Sequence, residues 1–169
     1  MSKFLVQVDN TSYQQKPNNN EVTGIKPRTQ GSEPKSLTAK QLADSIRQGY
    51  CISPAVLKGG HKAKNWTQQQ LFFVDIDNDN KDAPLMTVNE ALEICANNEI
   101  APLLYYESYS YTDSKPKFRL VFAMDKPVFE EAKRKIIIET LISLFPQADS
   151  VCTNADRIFF GTNREVHIL

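Results

Sequence analysis

Long apolar runs, paired cysteines and a net charge of either sign are all missing from this sequence of 169 residues. No run approaches the roughly 20 apolar residues that a membrane-spanning helix needs, and the N-terminus lacks the apolar stretch of a signal peptide. These two absences predict a cytoplasmic protein without a membrane partner. The three cysteines include no Cys-x-x-Cys pair, so neither a disulfide framework nor a zinc ribbon is indicated.

The zero net charge conceals an uneven distribution along the chain. Residues 1–64 carry about ten Lys or Arg against about four Asp or Glu, and residues 65–169 carry the opposite excess. A basic half that contacts phosphates beside an acidic half that holds cations would account for this asymmetry. An N-terminal segment that is merely polar and solvated accounts for it equally well.

Apolar patterning divides the chain into an irregular N-terminal part and a regular C-terminal part. The elements predicted in the N-terminal part are strand 3–8, polar loop 9–35, helix 36–46 capped by Thr38, and a short apolar strand or turn at 50–57. Those predicted in the C-terminal part are strand 71–77, helix 87–98, strands 102–107 and 117–122, helix 129–144, strand 157–160 and a last strand near 165–169.

The order of elements from residue 71 to residue 160 is β-α-β-β-α-β, the split arrangement of ferredoxin-like and RNA-recognition-motif (RRM) folds. We therefore predict an α+β fold, with a four-stranded antiparallel RRM-like sheet and two helices on one of its faces. The length suits a single domain over residues 1–169. In this domain, residues 1–66 are predicted to form an N-terminal α/β unit and residues 67–169 the RRM-like core.

An alternating acidic run ends the first core strand. Asp75 and Asp77 share one face of an extended chain, and they would repel each other unless a cation lay between them. Hard carboxylate oxygens suit Mg²⁺ or Mn²⁺. An EF-hand calcium loop is excluded, because its twelfth position would be Met86 rather than Glu and because a strand precedes it. Taken alone, the run fits an ordinary polar turn equally well.

A third acidic residue, Asp149, precedes the predicted last core strand, which begins with Arg157. The first and fourth strands of such a sheet are neighbours or lie one strand apart, so Asp149 can reach a metal held by the first strand. Asp156 competes for this role, but beside Arg157 it is expected to form a local ion pair. The predicted metal ligands and catalytic residues for phosphoryl transfer are Asp75, Asp77 and Asp149.

Basic residues alternate along the strand predicted at 117–122. Lys117 and Arg119 share one face, while the apolar residues between them face the other way. Next to a carboxylate cluster, such cations would bind a polyphosphate that bridges metal and guanidinium. Ser110, in the preceding loop, could donate a hydrogen bond to phosphate. An ordinary solvated sheet face is the alternative for the two cations.

A basic and aromatic patch precedes the first core strand. Lys62 and Lys64 could contact the backbone of a nucleic-acid template, and Trp66 could stack on a base. Packing of Trp66 in the core is the alternative. The sequence therefore offers a nucleic-acid-binding patch that needs no metal.

Three motifs in order resemble the archaeo-eukaryotic primase superfamily, in particular the primase-polymerase domains of replication proteins from phages, plasmids and mobile islands of Gram-positive bacteria. The motifs are Phe73-Val-Asp-Ile-Asp-Asn78, Lys117-Phe-Arg-Leu-Val-Phe122, and Asp149 followed by Arg157-Ile-Phe-Phe-Gly161. The resemblance covers roughly residues 62–165. The family's second motif is usually Ser-x-His, and this chain has Lys117-x-Arg119 in its place.

The resemblance implies template-directed nucleotidyl transfer in DNA replication by a primase-polymerase-like domain. It implies that the three aspartates hold two Mg²⁺ or Mn²⁺ ions and that Lys117, Arg119 and Arg157 hold a nucleoside triphosphate. It further implies a single-stranded DNA template and a replicative helicase in cis or in trans. The alternatives are a non-catalytic single-stranded-DNA-binding or adaptor module and, less favoured because no strand supplies a suitable Glu, a nuclease or topoisomerase-type metal site.

Overall fold

The computed structural model describes residues 2–169, which contain eight β-strands and four α-helices. In chain order these elements are β1 (Lys3–Ser12), α1 (Asn19–Gln30), β2 (Lys35–Thr38), α2 (Ala39–Arg47), β3 (Tyr50–Ser53), β4 (Ala55–Leu57), β5 (Trp66–Ile76), α3 (Val88–Asn97), β6 (Leu104–Glu107), β7 (Phe118–Val128), α4 (Glu131–Ser143) and β8 (Val166–Ile168). Among the described residues, no helix combines the length and the apolar character needed to cross a membrane.

The strands form two antiparallel sheets, which confirms the predicted α+β class. The smaller sheet has the order β2-β1-β3 and the larger one β4-β5-β7-β6-β8. In the larger sheet β5 lies beside β7, and β6 lies on the other side of β7, as the split arrangement predicts. The place next to β5 is taken by β4 from the N-terminal part, however, and β8 is added beside β6 at the other edge. The sheet is therefore five-stranded rather than the predicted four-stranded RRM-like sheet.

The predicted last core strand, 157–160, does not join the larger sheet. It makes a single antiparallel bridge to the smaller sheet, in which Phe159 and Ile52 exchange two backbone hydrogen bonds of 2.8 Å. The segment continues into Gly161, where a Cβ atom would lie 2.6 Å from the Ile46 carbonyl oxygen. Only glycine permits this close approach to the end of α2, so the segment is fixed between the two sheets.

The core of the larger sheet follows from the apolar run of β5. Residues 71–74 are buried on both faces of that strand, as in sheets that are covered on both sides. On one face, α3 begins with the predicted capping box, in which Thr87 and Glu90 bond each other's backbone N–H groups. The prediction of helix 129–144 is confirmed within two residues at its start and one at its end.

The predicted polar loop 9–35 is wrong, because β1 continues to Ser12 and the segment contains the twelve-residue helix α1. A capping box formed by Asn18 and Glu21 starts this helix. Its one fully buried apolar side chain is Ile25. Polar contacts supply the remaining anchorage, which explains why apolar periodicity gave no signal for the helix.

An ion pair between the buried Asp9 and the partly exposed Arg28 attaches α1 to β1. Arg28 donates to both carboxylate oxygens of Asp9, from Nε at 2.5 Å and from Nη2 at 2.7 Å. The Thr11 backbone N–H donates to the same carboxylate, and Arg28 also donates to the Tyr13 hydroxyl. The hydrogen bond to Asp9 raises the pKa of the Arg28 guanidinium further above its ordinary value, although burial acts in the opposite direction.

Candidate metal centre

The three carboxylates singled out in the sequence converge at the end of β5. Asp75 is the second-to-last residue of β5, and Asp77 follows directly after the strand. Asp149 precedes a 3₁₀ turn at Ser150–Thr153. One carboxylate oxygen from each residue lies within 4.8 Å of the other two. Opposite ligands of one Mg²⁺ are about 4.2 Å apart, so a small side-chain rotation, or a second ion, suffices to complete the coordination.

Backbone hydrogen bonds hold the two acidic segments side by side. The Asp149 N–H donates to the Asp75 carbonyl at 2.8 Å, and the Asp77 N–H donates to the Gln147 carbonyl at 3.2 Å. Residues Ile76 and Ala148 form an antiparallel bridge between them. Asp149 therefore reaches the site through this bridge and not, as the sequence suggested, through a neighbouring fourth strand.

The turn after Asp77 has an asparagine in the left-handed conformation. Asn78 has φ 54°, and its buried side chain bonds the backbone of Met86 and the carbonyl of Pro116. Asparagine tolerates this conformation better than most residues. The reversal leaves Asp79, the third acidic residue of the run, exposed and outside the cluster.

Asp75 is the most deeply buried of the three carboxylates, with 3% of its surface exposed. Burial raises the pKa of its carboxyl group, and the Asp77 carboxylate raises it further, whereas the Arg119 guanidinium lowers it. Its Oδ1 atom is buried and accepts no hydrogen bond, although Arg119 Nε lies 3.1 Å away in the ion pair. An unsatisfied buried carboxylate oxygen next to two other carboxylates is suited to binding a cation.

Each carboxylate also lies beside one cationic side chain. The pairs are Arg119 with Asp75 (Nη2–Oδ2 3.1 Å), Lys117 with Asp77 (Nζ–Oδ1 3.3 Å) and Arg157 with Asp149 (Nη2–Oδ2 3.2 Å). The expected local pair between Asp156 and Arg157 is therefore wrong. Asp156 instead binds Lys26 of α1 at 2.5 Å, because α1 passes close to this segment.

Arg119 is held more rigidly than the other two cations. Its side chain is 11% exposed, and Nη1 donates to the Phe160 carbonyl at 3.0 Å. The guanidinium also lies over the rings of Tyr106 and Phe159, at 5.6 and 5.9 Å from the ring centroids. A solvated sheet face is therefore excluded for this residue. Burial opposes the charge of Arg119, but Asp75 raises its pKa above the ordinary value.

Lys117 lies closer to solvent and contacts two acidic residues. Its ammonium group lies 3.3 Å from Asp77 and 3.1 Å from Asp79. Burial alone would lower the pKa of Lys117, but the hydrogen bonds and charges of Asp79 and Asp77 raise it. The residue therefore stays cationic at neutral pH.

A polar cavity of about 170 Å³ opens in front of the cluster. Arg119, Lys117 and Arg157 line it together with Asp75, Asp77 and Ser110. Lys16 and Tyr109 line the cavity as well. The sequence gave no signal for these two, because Lys16 lies in the segment interpreted as a polar loop.

A second, larger cavity of about 540 Å³ adjoins the polar one. It lies between α1 and residues 154–160, and it shares Arg119, Arg157 and Phe160 with the smaller cavity. The two cavities together form one cleft between the N-terminal part of the chain and the larger sheet. The polar end of this cleft contains the carboxylates.

Trp66, the aromatic residue of the predicted basic and aromatic patch, lies away from the carboxylates. Trp66 begins β5, so it is about 30 Å along the strand from Asp75 at about 3.3 Å per residue. Its ring is half-buried, and its indole N–H donates to Gln69 at 3.4 Å. Lys62 and Lys64 are exposed. A contact of this patch with nucleic acid stays a prediction.

The donor set fits a divalent metal ion. Three carboxylates offer hard oxygen ligands of the kind that Mg²⁺ and Mn²⁺ prefer, and one of these oxygens lacks a hydrogen-bond partner. Among the described residues this is the single group of three or more potential metal-ligating side chains.

Comparison with known proteins gives one structural likeness. No family model matches the sequence, and no curated protein matches it. The fold is similar to that of the AEP domain of the primase-polymerase (PrimPol) from cyanophage S-2L, with a TM-score of 0.51 and 13% sequence identity. The match covers 99% of this chain and 80% of the phage domain. At this identity the likeness shows a shared fold.

Proposed function

We propose that the chain catalyses metal-dependent, template-directed nucleotidyl transfer from nucleoside triphosphates, as a primase-polymerase. The observation that carries the proposal is the convergence of Asp75, Asp77 and Asp149 within 4.8 Å, beside a cavity lined by four cationic side chains. The likeness of the fold to a phage primase-polymerase domain supports the same reaction class. An ordinary solvated cluster of surface carboxylates does not account for this arrangement, because Asp75 is buried.

In this proposal the acidic residues bind the metal ions and the basic residues bind the triphosphate. Asp75, Asp77 and Asp149 hold two Mg²⁺ or Mn²⁺ ions, and Lys117 and Arg157 contact the triphosphate with Ser110 as a further donor. Arg119 orients the buried carboxylate and adds positive charge at the cavity wall. When bound, the two ions lower the pKa of an attacking 3′-hydroxyl and stabilise the leaving pyrophosphate. The protein supplies a fixed, preformed electrostatic environment for that displacement.

The partners follow from the reaction. We propose a single-stranded DNA template, whose backbone contacts Lys62 and Lys64 and whose bases stack on Trp66. A replicative helicase would expose that template, and the reaction would take place in the cytoplasm. We also propose that residues 1–169 act as one primase-polymerase-like domain, in which residues 1–66 form one wall of the cleft and residues 67–169 the catalytic wall.

Primer extension with Mn²⁺ or Mg²⁺ tests the proposal. We expect the wild-type protein to extend a primer on single-stranded DNA and the double variant Asp75→Ala/Asp77→Ala to lose that activity. The matched control is Asp82→Asn, which alters an exposed acidic residue shortly after the same run and should retain most of the activity. Unchanged synthesis by the double variant, with no contaminating polymerase, would overturn the proposal.

A non-catalytic single-stranded-DNA-binding module is the second candidate. It is favoured by the exposed lysines at 62 and 64, which need no metal to bind phosphate. Such a module would bind DNA with strong salt dependence in EDTA, and binding would survive the loss of Asp75 and Asp77. Binding of this kind without any primer extension would replace the first candidate by the second.

A further inference from the structure

The charges of the candidate metal centre cancel one by one. Three carboxylates face three cations, and the pair distances of 3.1, 3.3 and 3.2 Å show that every carboxylate has its own partner. The three carboxylates therefore do not form a site with uncompensated negative charge. A divalent ion that enters it competes with cations already in contact with its ligands.

The same three cations line the polar cavity, where a triphosphate would lie. They are the natural partners of phosphate oxygens, but their charges are partly neutralised by the carboxylates. A triphosphate that arrives without metal therefore meets Asp75 and Asp77 in the same cavity, and like charges repel. Each ligand alone meets an electrostatic obstacle that the other ligand removes.

We infer that the metal ion and the triphosphate bind by exchange of partners, so that each strongly increases the affinity for the other. The inference rests on the proposed function and deepens it, because it assigns the paired cations the role of coupling metal binding to substrate binding. In the exchange Asp77 passes from Lys117 to the metal, and Lys117 passes from Asp77 to phosphate. Such coupling is reciprocal by thermodynamic necessity.

Lys117 is the cation best placed to make this exchange. Arg119 is held by the Phe160 carbonyl and by two aromatic rings, so it stays beside Asp75. Lys117 has a flexible stem, and its ammonium group already has two alternative partners in Asp77 and Asp79. It can leave Asp77 without becoming unpaired, whereas Arg119 cannot leave Asp75 without losing its other contacts.

Calorimetric titration of the full chain tests the inference. Three dissociation constants are measured: for Mn²⁺ alone, for a non-hydrolysable nucleoside triphosphate in EDTA, and for their preformed complex. For the wild-type protein we expect the complex to bind at least about tenfold more tightly than either component, within the usual range of coupling between sites. Mn²⁺ alone binding as tightly as the complex would overturn the inference.

The variant Lys117→Gln separates exchange from a purely structural role. Removal of the competing charge should tighten the binding of Mn²⁺ alone and weaken that of the complex, and a general loss of structure cannot produce these opposite shifts. The matched control is Lys115→Gln, since Lys115 contacts Asp79 but none of the three clustered carboxylates. It should leave all three constants within about twofold. Weaker Mn²⁺ binding by Lys117→Gln, with an unchanged melting temperature, would contradict the exchange.

The two proposals fail in different experiments. Primer extension by a wild-type protein that binds metal and triphosphate independently would overturn the exchange and leave the proposed function standing. Coupled binding without nucleotide incorporation would support the exchange and overturn the proposed polymerase activity.

Discussion

Each of the two sheets contains a buried aspartate paired with an arginine, and the two pairs differ in how fully they are bonded. Asp9, on β1, has both oxygens bonded by Arg28 and receives a third hydrogen bond from the backbone. Asp75, on β5, receives one well-directed hydrogen bond from Arg119, and its Oδ1 atom has none. Both carboxylates are almost fully buried, at 1% and 3% exposure.

The difference separates a structural ion pair from a candidate binding group. The residue types and the burial of the aspartate are the same in the two pairs, so neither distinguishes them, although Arg28 is more exposed than Arg119, at 32% against 11% of the side chain. What distinguishes them is the unused bonding capacity of Asp75 and its second acidic neighbour, because a buried polar atom without a partner costs stability unless a ligand compensates. The comparison can be tested by perturbing both aspartates in the same way.

The largest expected effect is the response of thermal stability to ligand. Saturation with Mn²⁺ and a non-hydrolysable triphosphate at about 100 times the dissociation constant should stabilise the wild-type protein by about 2.7 kcal/mol. Asp75→Asn should lose most of this gain, whereas Asp9→Asn should keep it. Melting curves with and without ligand measure the effect. An equal gain in both variants would remove the distinction between the two pairs.

A smaller effect is expected on the stability of the ligand-free protein. Asp9→Asn weakens two charged hydrogen bonds that attach α1 to β1, so the free energy of unfolding should fall by about 2 kcal/mol. Asp44→Asn, which perturbs exposed pairs with Lys40 and Arg47, should cost less than about 1 kcal/mol. Urea denaturation measures both losses. Equal losses would show that the pair at Asp9 contributes no more than a surface pair.

The effect that is smallest at neutral pH, and that grows only in alkaline solution, concerns the thiol near Asp9. Burial, with a further contribution from the Asp9 carboxylate, raises the pKa of Cys51 from 9.0 to about 12. Between these two values the unfolded chain loses the Cys51 proton and the folded chain keeps it, so stability should fall as pH rises from about 9 to about 12, by up to about 1.4 kcal/mol per pH unit.

Denaturation of wild-type protein and Cys51→Ala across that pH range isolates the contribution of this thiol. The variant should show a shallower decline, although tyrosines that are also buried keep part of the slope. Identical slopes would show that Cys51 ionises normally in the folded protein. The pair at Asp9 would then be less well shielded from water than its burial indicates.

Sequence patterning predicted the acidic site better than it predicted the surroundings of that site. Asp75 and Asp77 were recognised because alternation along a strand places side chains on one face, a rule that depends only on backbone geometry. The position of Asp149 was predicted for the wrong reason, since it reaches the site through a bridge to Ile76 and not through strand 157–160. A bridge of one residue pair between distant segments produces no periodic pattern of apolar residues, so the sequence does not predict it.

Helix α1 shows why the rest could not be predicted. Its anchors are a capping box, the Arg28–Asp9 pair and hydrogen bonds from the Gln7 side chain to the Gln30 and Ser32 carbonyls. Apart from the local capping box, these contacts join residues 19 to 25 positions apart, and a polar composition is compatible with loop and helix alike. The cavity wall that α1 forms, and with it Lys26, was therefore invisible to pattern analysis.

The hydrogen bond between the Asp149 N–H and the Asp75 carbonyl has a practical consequence. It joins main-chain atoms, so an amide, which keeps an acceptor for Arg119 or for the Val151 N–H, can replace either carboxylate without releasing the two segments from each other. Inactive variants at these positions should thus keep the shape of the cleft. They are the natural reagents for trapping primer, template and nucleotide together in a crystal.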